Sequence, residues 1–397
     1  MTTIDELPEL DLLGESFLTD PVGALRDARG RHWAARTHRG VEILSYDGAT
    51  EVMRSPDFQT GIPKMMEAMG IDPTEMAGPG NTMTLSEGEQ HTRLRGVVSA
   101  WFTPKRVGRM RADVRDLVTR LVAPFTAAGG GDFVLDVAQG IPGPVFCWMI
   151  GAPVDRAEKL YELSQVMLRA FEGDIDLAEA IRHSGEQMSE FVDELMAIKR
   201  TAPGDDLMTI MLEAADTGTV THDDVHSMAY ELLTASTDNT ATTASLIVYR
   251  MALHPDQWAA VRADHDLVPA AIEETLRVEP RVHELAQYAT ADTTIRDLEI
   301  PAETFVWANV RSANLDPAIF PDPDRFDVDR AGRRPQLNFG LGPHHCLGAN
   351  LARMELGAML EVLSRQWSTI ELDGEPDIDR TAGNTGVSSL PIAVSGA

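Results

Sequence analysis

Cysteine is scarce in this chain. Only Cys147 and Cys346 occur in 397 residues, which excludes a disulfide framework and any zinc or iron–sulfur site built from several thiolates. Positive charge is also short: 34 Lys and Arg stand against 62 Asp and Glu, a formal net charge of −28. Such a surface repels phosphate backbones and anionic lipid, so no nucleic acid and no membrane is expected as a main partner, and a small organic ligand fits better. The N-terminal MTTIDELPELDLLGESF carries acids where a signal peptide needs a basic region and an apolar core. No apolar run is expected to reach membrane-spanning length, and a cytoplasmic protein is expected. Internal repeats, low-complexity tracts and Ser/Gly-rich linkers are missing too, so any domains must pack closely. With 43% apolar residues there is ample material for a large core, which argues against disorder.

What the chain does have is helical periodicity. Thr103 as N-cap and Pro104 at the first helical position open a pattern in which Val107, Met110, Val114, Leu117, Val118 and Leu121 recur at three- and four-residue steps, closed by Gly129-Gly130-Gly131. Further helical patterns run at about 155–172, 176–200, 206–216, 222–253, 255–264, 268–278 and 347–366. Short β-like runs cluster near 32–45, 286–310 and from 387, with Pro/Asp-rich turns between 316 and 335. The pattern predicts a mainly α fold, with a large helical body at about 85–280 and 340–370 and smaller β-rich parts at about 30–60, 286–310 and 387–395.

The most informative segment runs from Phe339 through Gly340, Gly342, His344, His345, Cys346 and Gly348 to Arg353 and Glu355. It is a Gly-punctuated loop that delivers one cysteine to the start of a helix. The positive end of that helix and its unpaired N–H groups favour a thiolate, and the glycines permit tight turns and close approach to a flat group. Two plainer readings compete: a buried structural cysteine, or a zinc cluster of His344, His345 and Cys346, which lacks an evident fourth ligand.

As a whole, F-G-x-G-x-H-x-C-x-G-x-x-L-A-R-x-E resembles the haem-thiolate signature of bacterial cytochromes P450. The resemblance implies the mainly α fold of that family, a single catalytic domain over 1–397 and haem b (iron protoporphyrin IX) as cofactor. Cys346 would be the axial ligand, its anionic sulfur pushing electron density onto iron and favouring O–O cleavage, and His344 would bond a haem propionate. Phe339, Gly340 and Gly348 would complete the cofactor loop. Glu274-x-x-Arg277 matches the family's buried structural pair, and the resemblance completes it with Arg325 in Pro323-Asp-Arg325-Phe326-Asp. His91 and Arg95, four apart on one helical face, can hold one anionic group together and match the family's propionate-binding helix.

Three positions depart from the family pattern. Ala235-Ser236-Thr237-Asp238-Asn239-Thr240 aligns with the oxygen-activation stretch, retaining the acid as Asp238 but placing Ser236 at the usual Gly and Asn239 at the usual Thr. In the family the acid and alcohol help deliver protons to dioxygen. Asn239 can hold dioxygen or an ordered water, with Thr240 or Ser236 supplying a hydroxyl; Thr234, Thr242 and Thr243 are expected to back-bond to their own helix. Gln287 stands where relatives carry a propionate-pairing Arg; it can hydrogen-bond a carboxylate but not neutralise it, unless Arg281 substitutes.

The implied activity is insertion of one oxygen atom from O2 into an apolar organic substrate. Electrons would come from a small ferredoxin and its NAD(P)H-dependent reductase, docked on a basic face with Lys105, Arg106, Arg109, Arg111, Arg115, Arg333 and Arg334 as candidates; the chain is expected to be a monomer. By the same resemblance, substrate contacts fall to Met65, Met66, Met69, Met167, Phe171, Met228, Glu231, Leu232, Ala235, Val282, His283, Leu285 and Val387, with Glu231 and His283-Glu284 as polar anchors. Methionines at helical spacing are more often ordinary core residues. The alternatives are a peroxide-driven peroxygenase, motivated by Asn239, and a non-catalytic haem-binding protein.

Overall fold

The computed structural model describes residues 1–70, 78–168, 178–330, 334–380 and 383–396. In chain order the longer helices are α1 (Pro21–Arg31), α2 (Tyr46–Arg54), α3 (Gly88–Ser99), α4 (Arg111–Ala128), α5 (Pro142–Ile150), α6 (Ala157–Leu168), α7 (Ala178–Thr201), α8 (Leu207–Asp216), α9 (His222–Leu253), α10 (Pro255–Ala263), α11 (Val268–Val278) and α12 (Ala349–Gln366). The strands that order them are β1 (Ala34–Thr37), β2 (Gly40–Ile43), β3 (Phe58–Thr60), β4 (Gly130–Asp132), β5 (Glu284–Ala289), β6 (Thr293–Ile295), β7 (Leu298–Ile300), β8 (Phe305–Asn309), β9 (Trp367–Leu372) and β10 (Pro391–Gly396). Two compact units interleave along the sequence. One is formed by 1–70, 269–346 and 378–386, the other by 71–268, 347–377 and 387–397.

The first unit is built on a five-stranded sheet in the order β1-β2-β8-β5-β3. Its pairings are antiparallel except β2 with β8, where Val41, Glu42 and Ile43 face Val306, Trp307 and Ala308 in parallel. Val41, Ile43, Val52, Phe58, Val306, Ala308, Phe320 and Leu337 pack into one buried cluster, the dominant favourable term for this unit. Arg39 stacks 4.0 Å above the Trp307 ring and donates to Glu42 and Glu284 at 2.6 and 2.9 Å, tying β2 to β5.

The second unit is helical. α9 begins at a capping box in which the Thr221 hydroxyl accepts from the Asp224 N–H and the Asp224 carboxylate accepts from the Thr221 N–H, both at 3.0 Å. It ends where His254-Pro255 cannot continue it. α5, α6, α7 and α8 pack around it, and α12 packs on α4. Phe125, Phe133 and Trp367 meet at centroid distances of 5.7–6.2 Å, and the Trp367 indole donates to Thr126 at 2.7 Å.

Helices 222–253 and 268–278 lie where periodicity predicts them. The pattern from Thr103 is interrupted: a short helix Pro104–Val107 and a 3-10 turn Gly108–Met110 precede α4, and the Thr103 hydroxyl donates to Ala100 O instead of capping. Gly129 closes α4 in the left-handed region, φ 80°. Helices α1 and α2 were not anticipated. One expectation is corrected: Phe133–Ile150 is 18 residues of mean hydropathy 1.4, long and apolar enough to cross a membrane, although 67% of it is buried within the protein. It is also broken, because Val137 and Ile141 separate two helices and a 3-10 turn.

Candidate active site

The candidate residues fall in both units, and each set is built within its own. In the first, the loop carrying Cys346 is closed by its own backbone: the Cys346 N–H donates to Phe339 O at 2.8 Å, Gly340 N–H to Leu337 O at 2.9 Å and His345 N–H to Gly342 O at 3.2 Å. Gly340 and Gly342 have φ of 65° and 73°. A Cβ at Gly342 would lie 2.2 Å from Met53 O, and one at Gly340 would lie 3.2 Å from Leu285 Cδ1, so both positions favour glycine for conformation and Gly342 needs it for space as well. Cys346 is exposed, three residues before α12 begins. Cys147 is its opposite: it is fully buried on α5, its thiol pushed up to about 12 by burial and by the Asp155 carboxylate.

Beneath the loop lies a buried charge network. Arg277 Nε and Nη2 donate to the two Glu274 oxygens at 2.9 and 2.7 Å. The third member is Arg330, not Arg325. Arg330 Nε reaches both Glu274 oxygens at 3.1 and 3.3 Å and is 9% exposed, whereas the Arg325 side chain is 66% exposed beside Asp327. Residue 325 contributes only its carbonyl, which accepts from both Arg277 and Arg330. The reason is the turn at Asp327, whose N–H donates to Glu274 Oε1 at 3.1 Å and directs the following arginine inward. Asn314 links network to loop: its carbonyl accepts from Arg277 at 3.1 Å, and its Oδ1 accepts from the Leu337 N–H at 2.9 Å. Nothing in the sequence motif marked Asn314.

Several expected pocket residues of this unit have other tasks. His283 is 3% exposed; its Nε2 pairs with the Thr385 hydroxyl at 2.9 Å and with Arg311. Burial, and then Arg311, Arg281 and Arg380, push its pKa down to about 2, so the ring is neutral. Glu284 is engaged by Arg39. Neither is a free polar anchor, because each is consumed by a neighbouring arginine. Leu285 packs on the core cluster and beside Gly340, Met66 is buried at 4%, and Met69 is 56% exposed. Val282 donates its N–H to Asn338 Oδ1 at 3.4 Å, and the Gln287 amide on β5 donates to Ala286 O at 3.0 Å. Met65 lies on the short helix Ile62–Ala68, partly buried.

In the second unit, α9 carries Asp238, Asn239 and Thr240. Asp224, Met228, Glu231, Ala235, Asp238, Asn239 and Thr242 form one stripe at three- and four-residue steps. Met228 and Thr242 are buried at 0% and 5%, while Ala235 and Asn239 between them are exposed. Thr234 and Thr243 back-bond as expected, to Tyr230 O at 3.1 Å and Asn239 O at 2.7 Å, and Ser236 donates to Leu233 O at 3.3 Å. Asn239 Nδ2 reaches Ala235 O at 3.4 Å. Fully buried Thr237 shares a hydrogen bond of 2.6 Å with Ser164 on α6. One turn earlier on α6, the Tyr161 phenol is held well above its usual range by burial and by the Asp238 carboxylate.

Three expectations change here. Glu231 is not available to anchor a substrate, since its oxygens accept the Met83 and Thr84 N–H groups at 2.9 and 2.7 Å. Met228 is core, and Leu232 is 7% exposed. The basic face is partly self-neutralised: Arg106 and Arg109 pair with Asp205, and Arg111 and Arg115 with Glu361. Phe171, the Met167 side chain and Arg333 lie outside the described residues. On α3, His91 is 4% exposed and Arg95 is partly buried. Val387 is partly buried on the strand Gly386–Ser389. Glu355 on α12, nine residues beyond Cys346, is 3% exposed, and burial holds its carboxyl well above the ordinary range.

The family model described as cytochrome P450 matches residues 155–394. This chain is a cytochrome P450. It is 34% identical over 377 residues to cyclomarin C epoxidase CymV of Salinispora arenicola, covering 93% of this chain and 94% of that one. It is 33% identical over 388 residues to cytochrome P450 monooxygenase PikC of Streptomyces venezuelae, covering 93% and 89%. Among solved structures, cytochrome P450 CYP109Q5 of Chondromyces apiculatus superposes with a TM-score of 0.84 at 27% identity, covering 98% of this chain and 99% of that one. As a cytochrome P450 the chain is an oxidoreductase, a haem-thiolate monooxygenase that uses O2 and binds haem b.

The donor set of this P450 fits that cofactor. Among the described residues no group of three or more His, Cys, Asp or Glu side chains is placed to hold a metal ion by itself, which sets aside a zinc cluster at His344, His345 and Cys346. One accessible sulfur on a closed loop remains, and a porphyrin-bound iron asks the protein for a single strong axial donor.

Proposed function

We propose that Cys346 is the axial thiolate of a P450 monooxygenase that oxidises an apolar organic substrate in the cytoplasm, with electrons from a separate ferredoxin and its NAD(P)H-dependent reductase. The observation that carries this reading is the contrast between the two thiols: Cys147 is sealed in the core, and Cys346 is presented on a loop braced by the Glu274–Arg277–Arg330 network through Asn314. When bound, haem would supply the iron chemistry that activates O2.

The protein's own residues then have these tasks. His91 and Arg95 hold a propionate by a charge-assisted pair, His344 and Gln287 add hydrogen bonds, and Phe339, Gly340 and Gly348 shape the loop around the sulfur. Asp238 receives protons and passes them inward; Asn239 orients a water with its amide; Thr240 or Ser236 supplies a hydroxyl. On α9 the exposed Ala235 presents an apolar contact. The activities of relatives, an epoxidase and a hydroxylase/epoxidase, support C–H hydroxylation or alkene epoxidation as the reaction.

The test is the ferrous carbonyl spectrum of wild type, Cys346→Ser and Cys147→Ser. The red-shifted Soret band of thiolate ligation is expected to disappear only in Cys346→Ser; its survival there would overturn the assignment. Asn239 in the oxygen-activation stretch also supports a peroxygenase reading, which predicts faster product formation with hydrogen peroxide alone than with ferredoxin, reductase and NAD(P)H.

A further inference from the structure

The segment Gly80–Thr84 is fastened backbone-first along the α9 stripe. The Gly80 N–H donates to Ser227 Oγ at 2.8 Å; the Asn81 N–H and side-chain amide both donate to Asp224 Oδ1, at 3.1 and 2.8 Å. The Met83 and Thr84 N–H groups take the two oxygens of Glu231, and the Thr82 hydroxyl closes the turn by accepting from the Leu85 N–H at 3.3 Å. Gly80 lies so close that a Cβ would sit 2.3 Å from the Asp223 carbonyl. The same stripe is therefore covered by main chain as far as Glu231 and becomes exposed one turn later, at Ala235 and Asn239.

Resting on the reading that the Ala235–Asn239 face meets substrate, we propose that Glu231 is a specificity-determining positioning residue. Its carboxylate pins Met83 and Thr84 as the end wall of that face and so limits how far a substrate can extend along α9. From Asn239 back to Glu231 there are eight residues, a run of about 12 Å at the helical rise. A carboxylate is suited to this task because it accepts two adjacent N–H groups at once, charge-assisted, and those donors compensate its charge, leaving the wall compatible with apolar ligands. A neutral Gln presents one acceptor and turns an NH2 toward the second donor; Ala presents none.

The experiment uses the haem-loaded protein as wild type, Glu231→Gln and Glu231→Ala, with two readouts. The first is hydrogen–deuterium exchange at the Met83 and Thr84 amides, which needs no haem chemistry. Loss of a charged hydrogen bond predicts exchange faster by about tenfold or more there, with the middle of α9 unchanged. The second is optical titration with azoles of increasing tail length: imidazole, 4-phenylimidazole and 1-dodecylimidazole. Imidazole is expected to bind all three proteins alike, and the dodecyl compound to bind Glu231→Ala about tenfold tighter than wild type, with Gln between.

Unchanged exchange overturns the clamp. Faster exchange with the same dependence on tail length in all three proteins overturns the specificity role. A wild type that gives no azole spectrum counts against the haem-site reading on which the proposal rests, and the exchange readout still decides the clamp.

Discussion

Arg330 donates from one nitrogen to both carboxylate oxygens of Glu274, at 3.1 and 3.3 Å, with each residue less than a tenth exposed. With Arg277 it places two guanidinium groups on one buried carboxylate, and the remaining donors of both arginines are spent on the carbonyls of Asn314, Pro321, Asp322, Pro323 and Arg325. A buried ion network so fully satisfied specifies one loop geometry, and breaking it leaves an uncompensated charge.

Arg330→Ala is therefore expected to cost about 3–5 kcal/mol, and Arg325→Ala to stay within about 0.5 kcal/mol of wild type, as an exposed side chain should. Denaturant unfolding of the two variants side by side checks the assignment. Equal losses would restore the exposed arginine to the network.

Asp238→Asn removes the ionisable group from the stripe while keeping its shape. Substrate turnover is expected to fall by about two orders of magnitude or more, the usual contribution of a positioned acid–base group. Asn239→Ala is expected to raise the peroxide released per NAD(P)H consumed. Unchanged coupling would mean that Asp238, water or the substrate organises the protons without the amide.

His283 supplies the pH dependence. Its folded pKa is pushed from 6.5 down to about 2, so below pH 6.5 the unfolded chain binds a proton that the folded one refuses. The stabilisation is full above pH 6.5 and is lost as pH falls toward 2, with a slope of up to about 1.4 kcal/mol per pH unit from this one group. Unfolding free energies of His283→Gln should show a shallower acid limb. An identical limb would place the proton uptake elsewhere.

The basic face yields a salt-dependent test. Arg106 and Arg109 share Asp205, and Arg111 and Arg115 share Glu361, so each of these carboxylates is divided between two arginines. Arg109→Glu is expected to slow ferredoxin-driven reduction about tenfold at low ionic strength and little at high salt, with chemical reduction unaffected. Equal rates at low salt would move the docking surface elsewhere.

The sequence by itself determined the long helix 222–253, the helix 268–278 and the cysteine loop, because each is a local matter. A capping box and a terminal proline bound the first; in the loop, glycine positions set the turns without reference to distant parts of the chain. Tertiary structure alone decided which of two arginines five residues apart enters the Glu274 network, since one turn with an N–H to Glu274 Oε1 aims Arg330 inward and leaves Arg325 in water. It likewise decided that Glu231 serves a loop about 150 residues earlier in the chain and that His283 is surrounded by arginines. A residue's type announces what it can bond, but burial and long-range neighbours determine what it does bond, and those are absent from any local window of sequence.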